Sequence, residues 1–271
     1  MKAPDIRLND QTNIPQIGLG TWQMRGEQCR QAVYEALRVG YRHIDTAAEY
    51  HNHEAVAEGL KDAALPREDY TLTSKVWRTD LHYQSLVDAC KRALRELDTS
   101  YLDLFLIHWP NADIPMQETF RAMEDLRQQG LIKSIGVSNF TIAHLRQALD
   151  TGTGLAVNQV EFHPSLYQQE LKAFCDANDI HLTAYSPLAR GKDLELESVV
   201  TIAEERGVPR GQVIINWIRH KGMSVIPKSA TPERIQSNFE ALNWALTDEE
   251  IERIDAENTD NRLINPDFSE F

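Results

Sequence analysis

A short apolar or β-branched run, then a turn, then an amphipathic stretch: this unit recurs eight times along the chain. The short runs fall near 18–21, 41–45, 71–76, 102–108, 132–137, 156–160, 181–185 and 224–227. The amphipathic stretches fall near 27–39, 52–64, 83–97, 116–129, 141–149, 168–178 and 195–220, with a last one near 232–243. Short runs bounded by turn residues read as buried strands, and the longer stretches as helices. Strands that alternate with helices pair in parallel. Eight such units in 271 residues point to a (β/α)8 TIM barrel, for which about 250 residues is typical. Residues 5–8 and 14–17, around the polar turn Asn9–Asn13, predict an N-terminal β-hairpin. Thr247-Asp248-Glu249-Glu250 is a capping box that opens an extra C-terminal helix. Thr231-Pro232-Glu233 supplies a cap, an N1 proline and an early acid, and Gly40 and Gly130 sit where helices should stop. No linker or low-complexity tract intervenes, so residues 1–271 read as a single barrel domain.

The competing architecture is a doubly wound sheet. Gly18-Leu19-Gly20 resembles the start of a dinucleotide fingerprint, but Gln23 stands where a third glycine is needed and no acidic residue follows the next strand in the ribose role.

Composition narrows the partners. A formal charge of −13 and a pI near 5.1 repel phosphate backbones and anionic lipid, so nucleic acid and membrane are not expected partners. Apolar residues make up 42% of the chain, enough for a sizeable core. Cys29, Cys90 and Cys175 are odd in number, widely spaced and placed in helical patterns, which predicts buried free thiols in a reducing compartment. MKAPDIRLND has no apolar signal core and no run of about 18 apolar residues occurs. A cytoplasmic monomer is expected.

Barrel enzymes do chemistry at the C-terminal ends of their strands. Here those ends carry Asp45, Lys75, His108, Ser138-Asn139, Gln159, Tyr185-Ser186 and Lys228-Ser229 in turn. Taken singly each has a bland reading, as a turn acid, a snorkelling lysine or a core histidine. Seven consecutive strands ending in polar groups oppose what packing alone favours. Tyr50 lies five residues beyond Asp45 in YRHIDTAAEY. A phenol has an ordinary pKa near 10, so it is a poor proton source unless tuned. A nearby lysine cation would lower that value, a carboxylate would keep the lysine charged, and a histidine could orient a carbonyl oxygen. Acid, tuner, anchor and orienter suit protonation of a developing alkoxide. No side chain supplies electrons, so a hydride carrier is required.

GLGTW (18–22), HIDTAAEY (43–50), SKVW (74–77), LDLFLIHWP (102–110), GLIKSIGVSNF (130–140), NQVEFHP (158–164), AYSPLARG (184–191) and IPKSATPERI (226–235) resemble the aldo-keto reductase superfamily, in the family's order. The closest similarity is to prokaryotic 2,5-diketo-D-gluconate and methylglyoxal reductases. The resemblance implies an NADP-dependent enzyme with Asp45, Tyr50, Lys75 and His108 as catalytic residues. NADPH/NADP+ would be the cofactor and Tyr50 the proton donor. It implies that Ser138, Asn139 and Gln159 hold the nicotinamide carboxamide and that Tyr185 stacks on the ring. Gly20, Thr21, Trp22, Asp45, Ser186 and Leu188 would also contact cofactor. Lys228, Ser229 and Arg234 resemble the group that holds the 2′-phosphate, and Asn238 an adenine contact. One departure is Ser237, where the family often has a glutamate that contacts adenine.

Trp22, Trp77 and Trp109 follow strands directly and are expected, with Tyr50 and His108, to wall the substrate site. The connections 111–115 and 188–194 and the tail 258–271 are short, which predicts an open, shallow pocket for small aldehydes, dicarbonyls and keto-sugars. Trp217 and Trp244 read as helix packing. Two rivals remain at this stage. His51-Asn52-His53 beside Glu54 would suit a metal-dependent barrel hydrolase, but Ser138, Gln159 and Lys228 are poor partner ligands. HNHE therefore reads as a solvated helix start, and no metal is expected. A cofactor-binding accessory subunit without turnover is the other rival, and the intact set of polar strand ends opposes it.

Overall fold

A computed structural model describes residues 3–271, so the first two positions of the N-terminal segment lie outside the described residues. Strands β1 (Asp5–Arg7) and β2 (Asn13–Pro15) pair antiparallel, with Ile6 opposite Ile14. The barrel strands are β3 (Leu19–Gly20), β4 (His43–Asp45), β5 (Thr71–Val76), β6 (Leu102–Ile107), β7 (Ile132–Ser138), β8 (Val157–Glu161), β9 (His181–Tyr185) and β10 (Ser224–Val225). Each pairs in parallel with its sequence neighbours. The parallel bridges Ile17↔Val225 and Gly20↔Lys228 join the two ends, so the sheet closes on itself.

The strand LDLFLI shows why these runs are almost continuously apolar. Phe105 and Ile107 join the large core cluster with helix residues. Leu104 and Leu106 pack instead with Leu8 and Ile14 of the hairpin segment, and with Ala156 and Val157. Both faces of the strand are dry, as expected for a parallel sheet covered by helices. The hairpin thus fills the end of the barrel where strands begin and leaves the other end to polar residues.

The surrounding helices are α1 (Gly26–Val39), α2 (His53–Ala63), α3 (Tyr83–Glu96), α4 (Met116–Gln128), α5 (Ile142–Asp150) and α6 (Gln169–Ala177). They continue with α7 (Glu197–Arg206), α8 (Arg210–His220), α9 (Pro232–Glu240) and α10 (Asp248–Asp255). The single stretch expected over 195–220 is two helices. Gly207 adopts φ 65° as a left-handed cap, and Pro209 has no N–H to continue the ladder. The capping box at Thr247 forms as the spacing predicted. Glu250 then also pairs with Arg206, and Asp255 accepts from the Trp217 indole at 2.7 Å, which docks α10 onto α7 and α8. Trp217 is buried, whereas Trp244 follows a short 3₁₀ turn, is half-buried, and donates to Gln212.

The three cysteines are free and buried, and burial pushes their thiols up to about 12. Among the described residues no helix is long and apolar enough to cross a membrane.

Helices α1 and α2 meet at Gly59. A Cβ there would stand 2.6 Å from Arg30 O and 2.8 Å from Val33 Cβ. Helix propensity alone predicts that Gly59→Ala stabilises by about 1 kcal/mol. The backbone contact cannot yield, so we expect the opposite sign, a loss of about 1–3 kcal/mol, read by thermal melting.

Candidate active site

The C-terminal ends of the strands surround a cavity of about 250 Å³. At its floor lies a buried ion pair. Asp45 ends β4 opposite Thr73 of β5, and Lys75 lies two residues further along β5, so its long side chain reaches the carboxylate. Lys75 Nζ donates to Asp45 Oδ1 at 2.6 Å, to Thr46 O at 2.9 Å and to the Tyr50 hydroxyl at 3.3 Å. Side-chain exposure is 0% for Lys75 and 2% for Asp45. Three ammonium protons thus meet three acceptors, as a buried cation requires. Asp45 Oδ2 accepts from Gln159 Nε2 at 2.7 Å, so the carboxylate is held from β5 and β8 together.

Tyr50 ends a 3₁₀ turn, Ala48–Tyr50, and lines the cavity. Its oxygen accepts from Lys75, so its own proton is free to point elsewhere. Burial, reinforced by the Asp45 charge, pushes the phenol well above its ordinary 10. This corrects the sequence expectation that Lys75 lowers it. Burial also pushes Lys75 down, while Asp45 opposes that. The carboxylate at 2.6 Å cancels most of the field that the lysine would otherwise exert on the phenol. Tyr50 therefore keeps its proton at neutral pH.

His108 stands one residue beyond β6, with its ring edge-on to Tyr50 at 5.6 Å and to Trp77 at 5.1 Å. Burial, then the Lys75 charge, lowers it well below 6.5, so the imidazole is neutral. Its Nδ1 is buried without a protein partner.

The opposite wall is a chain of amides and hydroxyls. Asn139 takes φ 63°, a conformation asparagine tolerates better than most residues. Its Nδ2 donates to His108 O and Ser138 Oγ, and its Oδ1 accepts from the Tyr185 hydroxyl at 2.7 Å. Ser138 Oγ donates to Gln159 O. Gln159 thus has a task that sequence reading did not assign, holding Asp45 with its Nε2. Its Oε1 takes no hydrogen bond among the described residues, and Gln159 lines the same cavity.

Gly20, Thr21, Trp22, Ser186 and Lys228 also line the cavity, as do Trp77 and Trp109. Trp22 is 41% exposed, with the Arg190 guanidinium 5.3 Å above its ring. Leu188, Ser229, Arg234 and Asn238 are not on the cavity wall. Leu188 and Asn238 both lie beside Gly211, Ser229 bonds into the turn at Thr231, and Arg234 is exposed on the first turn of α9.

Sequence reading missed Arg190 and Ile264, which line the cavity. The charge on Arg190, in a loop of an acidic chain, was a usable signal. Nothing local marks Ile264. The short tail does not leave the site open as expected. It folds back so that Phe268 packs edge-on against Trp77 and Trp109 at 5.9 and 5.5 Å.

HNHE is not a solvated helix start. Asn52 is buried and bonds Thr46, Thr21 O and Met24 O, while His53 bridges Ser74 and Glu96. Only His51 of the three is exposed. Among the described residues no group of three or more His, Cys, Asp or Glu is placed so that it could hold a metal ion.

Because burial disfavours the phenolate, the Tyr50 titration moves upward and its proton is retained at pH 10, where a free phenol is half ionised. Tyr50→Phe should therefore leave the phenolate absorbance at pH 10 unchanged. A drop equal to half a tyrosine would contradict this assignment.

The chain is similar to known proteins over nearly its whole length. The model of the aldo/keto reductase family matches residues 16–259. A glyoxal reductase of Bacillus subtilis is 41% identical over 265 residues, covering 97% of this chain and 96% of its own. A methylglyoxal reductase, DkgA, of Escherichia coli is 39% identical over 270 residues, covering 98% and 97%. Among solved structures, an aldo-keto reductase from a Medee basin deep-sea metagenome library superposes with a TM-score of 0.95 at 38% identity, covering 99% and 100%. An aldo-keto reductase of Bombyx mori in complex with NADP gives 0.91 at 34%, covering 98% and 96%. With a matching family model over most of its length and near-full-length relatives, this chain belongs to the aldo/keto reductase family, oxidoreductases that act on carbonyls.

Proposed function

We propose that this single barrel domain reduces small aldehydes, dicarbonyls and keto-sugars to alcohols with NADPH, with Tyr50 as proton donor. The observation that carries the reading is the Asp45–Lys75–Tyr50 chain at the floor of a cavity that His108 shares. The relatives named for glyoxal and methylglyoxal reduction support small dicarbonyls as a substrate class. The buried thiols favour a reducing, cytoplasmic setting, and we read the protein as a monomer.

The residues present fit a nicotinamide cofactor. The free Oε1 of Gln159, with Ser138 and Asn139, offers polar partners for a carboxamide, and Tyr185 offers a flat face beside them. Lys228 at the cavity edge, Ser229 before α9 and Arg234 in its first turn would hold the adenosine 2′-phosphate at a helix N-terminus, with Asn238 further along α9 as an adenine contact. When bound, NADPH supplies the hydride.

His108, neutral, orients the carbonyl oxygen by donating a hydrogen bond. Negative charge then develops on that oxygen, and Tyr50 transfers its proton to it. The phenolate left behind is stabilised by the Lys75 ammonium, which already donates to the same oxygen. Asp45 and Thr46 O hold that ammonium in place. The high resting pKa of Tyr50 suits this order, because the proton stays on the phenol until the alkoxide forms.

Tyr50→Phe should lower kcat about 10²–10⁴-fold with cofactor affinity retained. Wild-type turnover in this variant would refute the proton-donor role. Paired Lys228→Gly and Arg234→His should weaken NADPH about tenfold or more, since charge-assisted bonds contribute about 1.5–3 kcal/mol. NADH should change far less. Equal losses for the two cofactors, measured by fluorescence titration, would count against the phosphate site.

A further inference from the structure

The end of β8 also carries ionisable groups that the chemistry above does not use. Glu161 closes the strand, His163 follows it, and Asp193 lies in the segment after β9. All three are at most 2% exposed. His163 Nε2 is 3.1 Å from Glu161 Oε1, and Nδ1 is 3.0 Å from Asp193 Oδ2. Donors fill the other carboxylate positions. The Ser165 N–H and hydroxyl donate to Asp193 at 2.9 and 2.8 Å. The backbone N–H groups of Leu263 and Ile264 each donate to Glu161 at 2.9 Å. With both carboxyls ionised, each ring nitrogen donates to one of them, and the Ser165 hydroxyl lies 3.1 Å from Nδ1 as well. His163 is held between two acidic side chains. Burial alone would lower its pKa, but the bonds to Asp193 and Glu161 outweigh burial and raise it. Arg262 is the other cation whose charge reaches Glu161.

These bonds fasten two separate pieces of the cavity wall. Glu161 holds the tail at Leu263 and Ile264, and Ile264 lines the cavity. Asp193 holds the irregular segment after β9, from which Arg190 lines the same cavity. Ser165 adds a second link, since its carbonyl accepts from Asn261 N at 2.8 Å while its side chain holds Asp193. Neither piece has sheet pairing to keep it in place.

We propose that His163 is a positioning residue that couples the C-terminal tail to the segment after β9, so that the two walls of the cavity loosen or tighten as a unit. The coupling itself does not depend on the reductase reading; its effect on turnover does.

Hydrogen exchange on the full-length protein tests the coupling without any ligand. Asp193→Asn alters only the far end of the network. Coupling requires that the Leu263 and Ile264 amides exchange about tenfold faster or more in that variant, because local openings draw on shared bonds. Glu161→Gln should in turn accelerate exchange in 189–195. His163→Gln, which cannot donate from both ends, should accelerate both pieces while the β6 amides stay protected. Faster exchange only in the segment that carries each substitution would overturn the proposal, and it can be read from Asp193→Asn and Glu161→Gln even if His163→Gln fails to fold. In turnover assays Asp193→Asn and Glu161→Gln should each raise KM for cofactor and carbonyl together and leave kcat near wild type. A change in one KM alone would again refute coupling. Absence of turnover in the wild type would instead refute the reductase reading and leave the exchange result standing.

Discussion

The buried Lys75–Asp45 pair is the interaction that the rest of the site depends on. Withdrawing two charges from water costs several kcal/mol per ion. That cost is offset only where the charged groups find hydrogen-bond partners, and here each ammonium proton and each carboxylate oxygen has one. Asp45 is held by Lys75 and Gln159, and Lys75 by Asp45, Thr46 O and Tyr50. Those partners come from β4, β5, β8 and the turn after β4. The pair is therefore stable only inside a closed barrel, and loss of one member would leave a buried charge uncompensated at about 3–5 kcal/mol.

The two ends of the barrel divide the work. One is filled by Leu8 and Ile14 from the hairpin segment, packed on Leu104, Leu106, Ala156 and Val157. The other carries the polar strand ends, of which Asp45, Lys75, Ser138, Asn139, Gln159 and Tyr185 bond across strands. Packing at the first end holds the strands in register, and that register places Asp45 opposite Thr73, within reach of Lys75, and Ser138 opposite Gln159. The cofactor and carbonyl would enter only at the second end, as in other barrels of this topology.

Much of this was legible before any coordinates. LDLFLI and TLTSKV read as strands because fully buried parallel strands show continuous apolar or β-branched runs. The final helix was marked by Thr247 and Glu250, since a capping box is a local device. Misreadings arose where meaning depended on distant partners. Asn52 and His53 are polar, and polarity suggested exposure, yet both are buried and bonded to other segments. The field on Tyr50 was misjudged because the carboxylate counted only as an anchor for Lys75, whereas burial and the Asp45 charge itself raise the phenol. The break at Gly207 and Pro209 was local and could have been read, but the apolar period across it was given more weight.

The order of elements, the barrel class and the residue types available for proton transfer follow from local pattern. Side-chain periodicity and turn chemistry act over a few residues and are written in the chain directly. The direction of the Tyr50 shift, the second task of Gln159 and the return of Phe268 onto Trp77 and Trp109 were decided only by the fold. Each depends on burial and on partners tens to hundreds of residues away, as with Gln159 and Asp45. Desolvation and Coulomb interactions are set by distance in space, which separation along the chain does not encode.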